Sequence, residues 1–199
     1  MDRYILEKMR HHIQELGDDI LTESEQITSL CYTQEDDLQF REPGYDDSGW
    51  NVLNSGDAWD RHDSIIWIRG TVKIPSYLRG RRLDLRVEAG PRESMEIKAE
   101  ALLYVNGTES CAFDNWHNRM RLDGDMSSRE EFQIALRVWS GMNEPGRMRH
   151  FQGIWLEAVD ETIEKYYYLA KVILETIQEL DAEDFQRIAL LKTLDTSLL

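Results

Sequence analysis

From Trp50 to about Val159 the apolar residues recur at every second position, and on either side of that stretch they recur at every third or fourth. A period of two alternates side chains across an extended strand, whereas a period near 3.6 lines them along one side of a helix. The change of period therefore divides the chain before any residue is given a role. The run Ile65 to Ile74 carries Ile66, Ile68, Val72 and Ile74 on one face and Ile65, Trp67 and Thr71 on the other. Pro75 ends it, because proline has no N–H to give to a ladder. Leu83, Leu85 and Val87 alternate with charged neighbours, the pattern of a strand with one wet face. Ala101-Leu102-Leu103-Tyr104-Val105 runs into Asn106-Gly107, whose tolerance of positive φ marks a tight hairpin. Phe132, Ile134, Leu136 and Val138 alternate, and Ile154, Leu156 and Ala158 close the set. Short strands separated by turn residues, with no helices between them, predict an antiparallel sandwich.

Helical spacing governs both ends. Tyr4, Leu6, Met9, Ile13 and Leu16 form one stripe, with Gly17 as a C-terminal stop. Residues 27–45 are mixed and polar and finish in the turn signal Glu42-Pro43-Gly44. Ile163, Tyr167, Ala170, Leu174 and Ile177 form a second stripe. Asp181 breaks that run and can cap a further helix, with Asp184 in its first turn and Phe185, Ile188, Leu191, Leu194 and Leu198 as its stripe. Tyr166, Tyr167 and Tyr168 span about 200° of a helix, so at least one ring must leave the stripe. The expected organisation is an N-terminal helix and lead-in over 1–45, a sandwich of jelly-roll or galactose-binding-like type over 46–159, and a helical connector over 160–199. The chain stops at Leu198-Leu199 inside an apolar pattern, which reads as a piece of a longer polypeptide.

Composition removes several function classes. The chain has 199 residues with 23 basic against 38 acidic side chains, a net charge of −15. Phosphate neutralisation needs clustered Lys and Arg, so neither nucleic acid nor an anionic membrane surface is an expected partner. Six Trp, eight Tyr and five Phe give more burying power than a disordered acidic chain carries. No apolar run is long enough to cross a bilayer, and the N-terminal stretch has no signal-peptide core. Cys31 and Cys111 make a poor disulfide framework, so the cytoplasm is the expected compartment.

Motifs of bond chemistry are missing: no glycine-rich phosphate loop, no Gly-x-Ser-x-Gly, no His-Glu-x-x-His and no paired Cys-x-x-Cys. His11 and His12 are adjacent on a helix, about 100° apart, and make a poor metal pair. No catalytic and no metal-ligating residue is assigned. Asp114-Asn115-Trp116-His117-Asn118-Arg119 is the densest polar-aromatic cluster. A Trp can stack on a pyranose face while Asp, Asn and Arg bind hydroxyls. Equally, such a loop can plug a sandwich edge with its Trp and tie its Asp and His to backbone. The stretch Asp57 to Asp63 around Trp59 has the same ambiguity, and its carboxylates also suit calcium. Candidate carbohydrate-binding residues are Asp114, Trp116, His117 and Trp59. Asn106-Gly107-Thr108 fits a glycosylation sequon but reads as the hairpin turn.

Trp67 through Pro75, then Gly80 and a Leu-x-Leu strand, then Leu103-Tyr104-Val105-Asn106-Gly107 resembles the sugar-binding-type jelly roll of many glycoside hydrolases. Phe113 through Arg119 resembles the Gly-x-Asp-x-x-His segment of bacterial-type family 38 glycoside hydrolases, the class II α-mannosidases. Trp139-Ser140-Gly141-Met142 resembles a strand end of that family, and Tyr166 to Ala170, Leu180 to Asp184 and Leu191 to Leu194 resemble its helical connector. The resemblance covers about residues 50–199 in order and departs at Ala112, where glycine is usual. It implies the non-catalytic N-terminal region of a retaining α-mannosidase, inert alone. The implied zinc and Asp nucleophile belong to a catalytic barrel of the same polypeptide, not to this chain, and that barrel is the implied partner. A mannose-containing oligosaccharide is a further candidate ligand. Two alternatives stand beside it: a stand-alone carbohydrate-binding module of jelly-roll type, and an acidic interaction protein whose C-terminal helices form a homo-oligomer.

Overall fold

The computed structural model describes residues 2–59, 63–89, 99–114, 116–141 and 149–198. In chain order its elements are α1 (Asp2–Asp19), β1 (Leu21–Gln26), β2 (Leu30–Thr33), β3 (Asn51–Leu53), β4 (Ala58–Trp59), β5 (Ile65–Lys73) and β6 (Leu83–Ala89). There follow β7 (Glu100–Val105), β8 (Thr108–Phe113), β9 (Arg119–Arg121), the short α2 (Gly124–Ser127), β10 (Glu131–Trp139), β11 (Arg149–Val159), α3 (Glu161–Glu179) and α4 (Phe185–Ser197). The chain divides into two compact units, residues 24–158 and residues 1–23 with 159–199.

The first unit is the antiparallel sandwich that the period of two predicts. One sheet runs β3-β2-β5-β10-β7-β8, and the other runs β1-β11-β6-β9 with β4 paired to β11. Alternate residues of both sheets meet in one core, where Ile66, Ile68, Val72, Leu83, Leu85, Leu103, Leu136, Val138 and Ile154 are wholly buried. Each such side chain stabilises the fold by about 1.5–3 kcal/mol through the apolar surface it removes from water. Asn106 and Gly107 take φ of +47° and +81° and turn β7 into β8, the left-handed pair that a two-residue hairpin needs. Glycine is also required at Gly70, where a Cβ would lie 2.5 Å from a Leu30 methyl and 2.7 Å from the Ser29 carbonyl oxygen. That close approach lets β2 pair with β5 from Leu30 to Thr33.

The boundary expected near residue 46 lies elsewhere, because β2 and the 3-10 turn Leu38–Arg41 belong to the sandwich. In β2 only Leu30 is buried, too short a pattern to show a period. Phe40, on the turn, buries itself with Trp67, Tyr104 and Ala135 on the outer face of the six-stranded sheet. Trp67 stacks on Tyr104 with centroids 5.6 Å apart, and Phe40 meets Trp67 edge-on at 5.9 Å, the offset and edge geometries that aromatic quadrupoles favour.

The wet face expected on β6 is also buried. Asp84, Glu88 and the cross-strand Glu157 are each less than a tenth exposed. Their charge is met by arginine. Arg86 donates from Nε to Glu157 and from Nη1 to Glu88, both at 2.8 Å, and its guanidinium stacks 3.9 Å from the Trp155 ring centroid. Arg119 bonds the second oxygen of Glu157, and Arg82 bonds Asp84.

In the second unit Met9 and Ile13 of α1 pack with Ala170, Leu174 and Ile177 of α3 and Leu194 of α4. Asp160 caps α3 by accepting from the Thr162 and Ile163 amides at 2.9 and 3.1 Å. Three expectations are corrected here. Gly17 lies inside α1 rather than after it, and its missing Cβ makes room for the Tyr167 ring, which a Cβ would approach to 3.0 Å. The cap of α4 is Asp184, not Asp181, with its carboxylate 2.6 Å from the Gln186 amide. The buried stripe of α4 is Arg187 and Leu194, with Leu191 and Leu198 partly covered, while Phe185 is 83% and Ile188 54% exposed. Arg187 turns inward because its Nε donates to the Ile177 carbonyl at 3.1 Å, where the C-terminal turn of α3 leaves carbonyls in need of a donor. Of the three tyrosines, Tyr167 packs inward, Tyr168 is 56% exposed, and the Tyr166 hydroxyl bonds the Ser197 carbonyl.

Candidate functional site

A cavity of about 510 Å³ opens on the outer face of the six-stranded sheet at the end where β10 finishes. Sheet register builds it. Trp139 of β10 stands opposite Glu100 of β7, Arg137 opposite Leu102, and Leu102 in turn opposite Ala112 of β8. Alternation puts these side chains on the face away from the Ile134, Leu136 and Val138 core. Asp114 and His117, on the loop after β8, complete the wall.

Each wall is fixed by a specific partner. The Trp139 indole N–H donates to Asp63 at 2.8 Å. Asp63 holds a left-handed φ of +47°, and its amide donates to the Gly141 carbonyl. Arg137 forms a two-point contact with Asp36, Nε at 2.8 Å and Nη2 at 2.6 Å, and Asp36 also accepts the Trp67 indole N–H at 2.8 Å. Asp114 folds its loop onto itself, accepting from the Trp116 and His117 amides at 2.7 Å each and contacting the His117 ring at 3.1 Å. The His117 ring first, and then those two amides, hold the Asp114 carboxyl below the usual carboxylate range. Asn118 anchors the loop to β6, its carbonyl accepting from the Val87 amide and its side-chain amide donating to Glu88 at 3.2 Å.

The structure brings Asp114 and His117 together at this cavity and leaves Trp116, between them in the chain, 87% exposed. Trp59 is a correction: it is 4% exposed in the sandwich core, so both ring faces are covered by protein and neither is open to a sugar. Its indole nitrogen has no hydrogen-bond partner among the described residues. Asp57 closes a turn by accepting from the Asn54 amide at 2.7 Å. Asn115, Asp60, Arg61, His62 and Met142, all within the segments singled out in the sequence, lie outside the described residues. Sequence reasoning missed Glu100, Leu102 and Arg137, which come from strands distant in the chain. It noted Trp139 only through a family likeness. Among the described residues no group of three or more His, Cys, Asp or Glu could hold a metal ion, and no helix is long and apolar enough to cross a membrane.

No protein-family model matches this sequence, and no curated protein does. Solved structures do. A β-glucuronidase from Bacteroides uniformis is similar with a TM-score of 0.51 at 16% identity, covering 68% of this chain and 18% of that one. A second, β-glucuronidase 2 of the same organism covalently bound to cyclophellitol-6-carboxylate aziridine, gives 0.52 at 16% identity over the same shares. A glycosyl hydrolase family 2 member from Bacteroides cellulosilyticus gives 0.50 at 18% identity, covering 67% of this chain and 20% of that one. The chain thus spans about a fifth of the length of these three structures, and what it shares with them is the fold.

Proposed function

We propose that this chain is an accessory, non-catalytic β-sandwich domain of a glycoside hydrolase. The observation that supports this most is the likeness of its fold, over about two thirds of the chain, to a minor part of family 2 glycoside hydrolases. The residues along the chain extend the reading. Trp67 to Pro75, Leu103 to Gly107 and Phe113 to Arg119 resemble the N-terminal region of family 38 α-mannosidases, so the parent we favour is a retaining α-mannosidase of the cytoplasm. Its zinc and its nucleophile would sit in a catalytic barrel of the same polypeptide. The helical unit offers that barrel a surface, since Tyr168, Leu169 and Val172 of α3 and Phe185 and Ile188 of α4 are all more than half exposed.

The test is hydrolysis by the polypeptide that the complete reading frame encodes. Release of nitrophenol from an aryl α-mannoside, lost with a zinc chelator, is the expected result. Chelator-insensitive hydrolysis of an aryl β-glucuronide would move the parent toward the family 2 enzymes. Absence of glycosidase activity toward every aryl glycoside would overturn the accessory reading.

A further inference from the structure

Resting on that reading, we propose that the cavity between β7, β8 and the end of β10 is a subsite for a neutral hexopyranoside, with Trp139 as its apolar contact and Glu100 and Asp114 as acceptors for sugar hydroxyls. Its volume of about 510 Å³ falls within the range of small-molecule pockets. The small Ala112 opposite Leu102 keeps the floor open between the Trp139 side and the Asp114 side. Trp139 has its indole N–H engaged by Asp63, so its ring is fixed while its apolar surface lines the cavity. An aromatic ring already held in place loses little freedom when a ligand covers it.

Charge selects among sugars. Glu100 and Asp114 bring two carboxylates to the wall, against the guanidinium of Arg137 and the His117 imidazole, which contacts Asp114. That guanidinium is already committed to Asp36 through Nε and Nη2. The whole chain adds a net charge of −15. An anionic ring is therefore repelled, whereas hydroxyls can donate to the carboxylates. A glucuronide is the informative contrast, being close in size to a hexoside with one added carboxylate.

The experiment is a titration of the 15N-labelled full chain, following the indole N–H cross-peak of Trp139 by NMR. Methyl α-mannopyranoside should move that peak saturably, and methyl β-glucuronide at equal concentration should not. Glu100→Ala, which removes one hydroxyl acceptor, should weaken binding roughly five- to tenfold while the Trp139 peak still responds. Ala112→Phe, which fills the floor, should abolish the response. The inference is overturned by a flat mannoside titration, by an equal or larger response to the glucuronide, or by undiminished binding in Glu100→Ala. The titration reads this chain alone, so a flat result beside an active parent enzyme sinks the subsite and leaves the accessory reading standing.

Discussion

Three donors converge on Asp36: Arg137 through Nε and Nη2, and the Trp67 indole N–H. The Arg137 hydrogen bonds foremost, and then that of Trp67, hold its carboxyl below the usual carboxylate range. Because the folded pKa is the lower one, the stabilisation is complete above the unfolded value and is lost as the pH falls through the folded value. Trp67 is wholly buried, so Asp36→Ala strands its N–H and should cost about 1–3 kcal/mol at pH 7. Urea unfolding should show that loss, and the gap to the wild type should narrow as the pH drops below about 4. A gap that stays constant with pH would assign the loss to something other than the carboxylate. Arg86 supports a second prediction. Its removal leaves Glu88 and Glu157, 6% and 1% exposed, without their shared cation. Arg86→Ala should destabilise by about 3–5 kcal/mol in thermal or urea unfolding, and a loss below about 1 kcal/mol would mean that this lattice is well solvated.

Single elements separate what patterning can show from what it cannot. In β5 and β10 nine residues alternate, and their inward sets were legible because a long strand repeats its period several times. In β2 four residues contain one buried side chain, so nothing periodic marks it. The buried charges of β6 read as solvent-facing, since neither β9 nor β11 can be seen beside them in a linear text. The stripe of α4 fails at its first turn for a related reason: Arg187 is drawn inward by a carbonyl of another helix, which displaces Phe185 and Ile188 outward. Stability tests that reassignment. Leu194→Ala should cost about 2–5 kcal/mol, whereas Phe185→Ser and Ile188→Ser should each stay within about 0.5 kcal/mol of wild type. A cost at Phe185 equal to that at Leu194 would restore the stripe read from spacing.

At the scale of the whole molecule, the switch between two periods was enough to place a sandwich between helical ends. That α1 returns to pack with α3 and α4 was not legible, because Met9 and Leu174 join one cluster from positions far apart in the chain. The candidate site divides in the same way. Asp114, Trp116 and His117 stood out as a dense local cluster, while Glu100, Arg137 and Trp139 reach the cavity through sheet register. As proposed, the molecule is a sugar-facing support with no bond chemistry of its own. The most direct measurement is steady-state release of nitrophenol by the purified chain from an aryl α-mannoside and an aryl β-glucuronide, with and without added zinc. No release above the protein-free blank is expected under any of these conditions. Zinc-dependent turnover that tracks the chain through purification would contradict it.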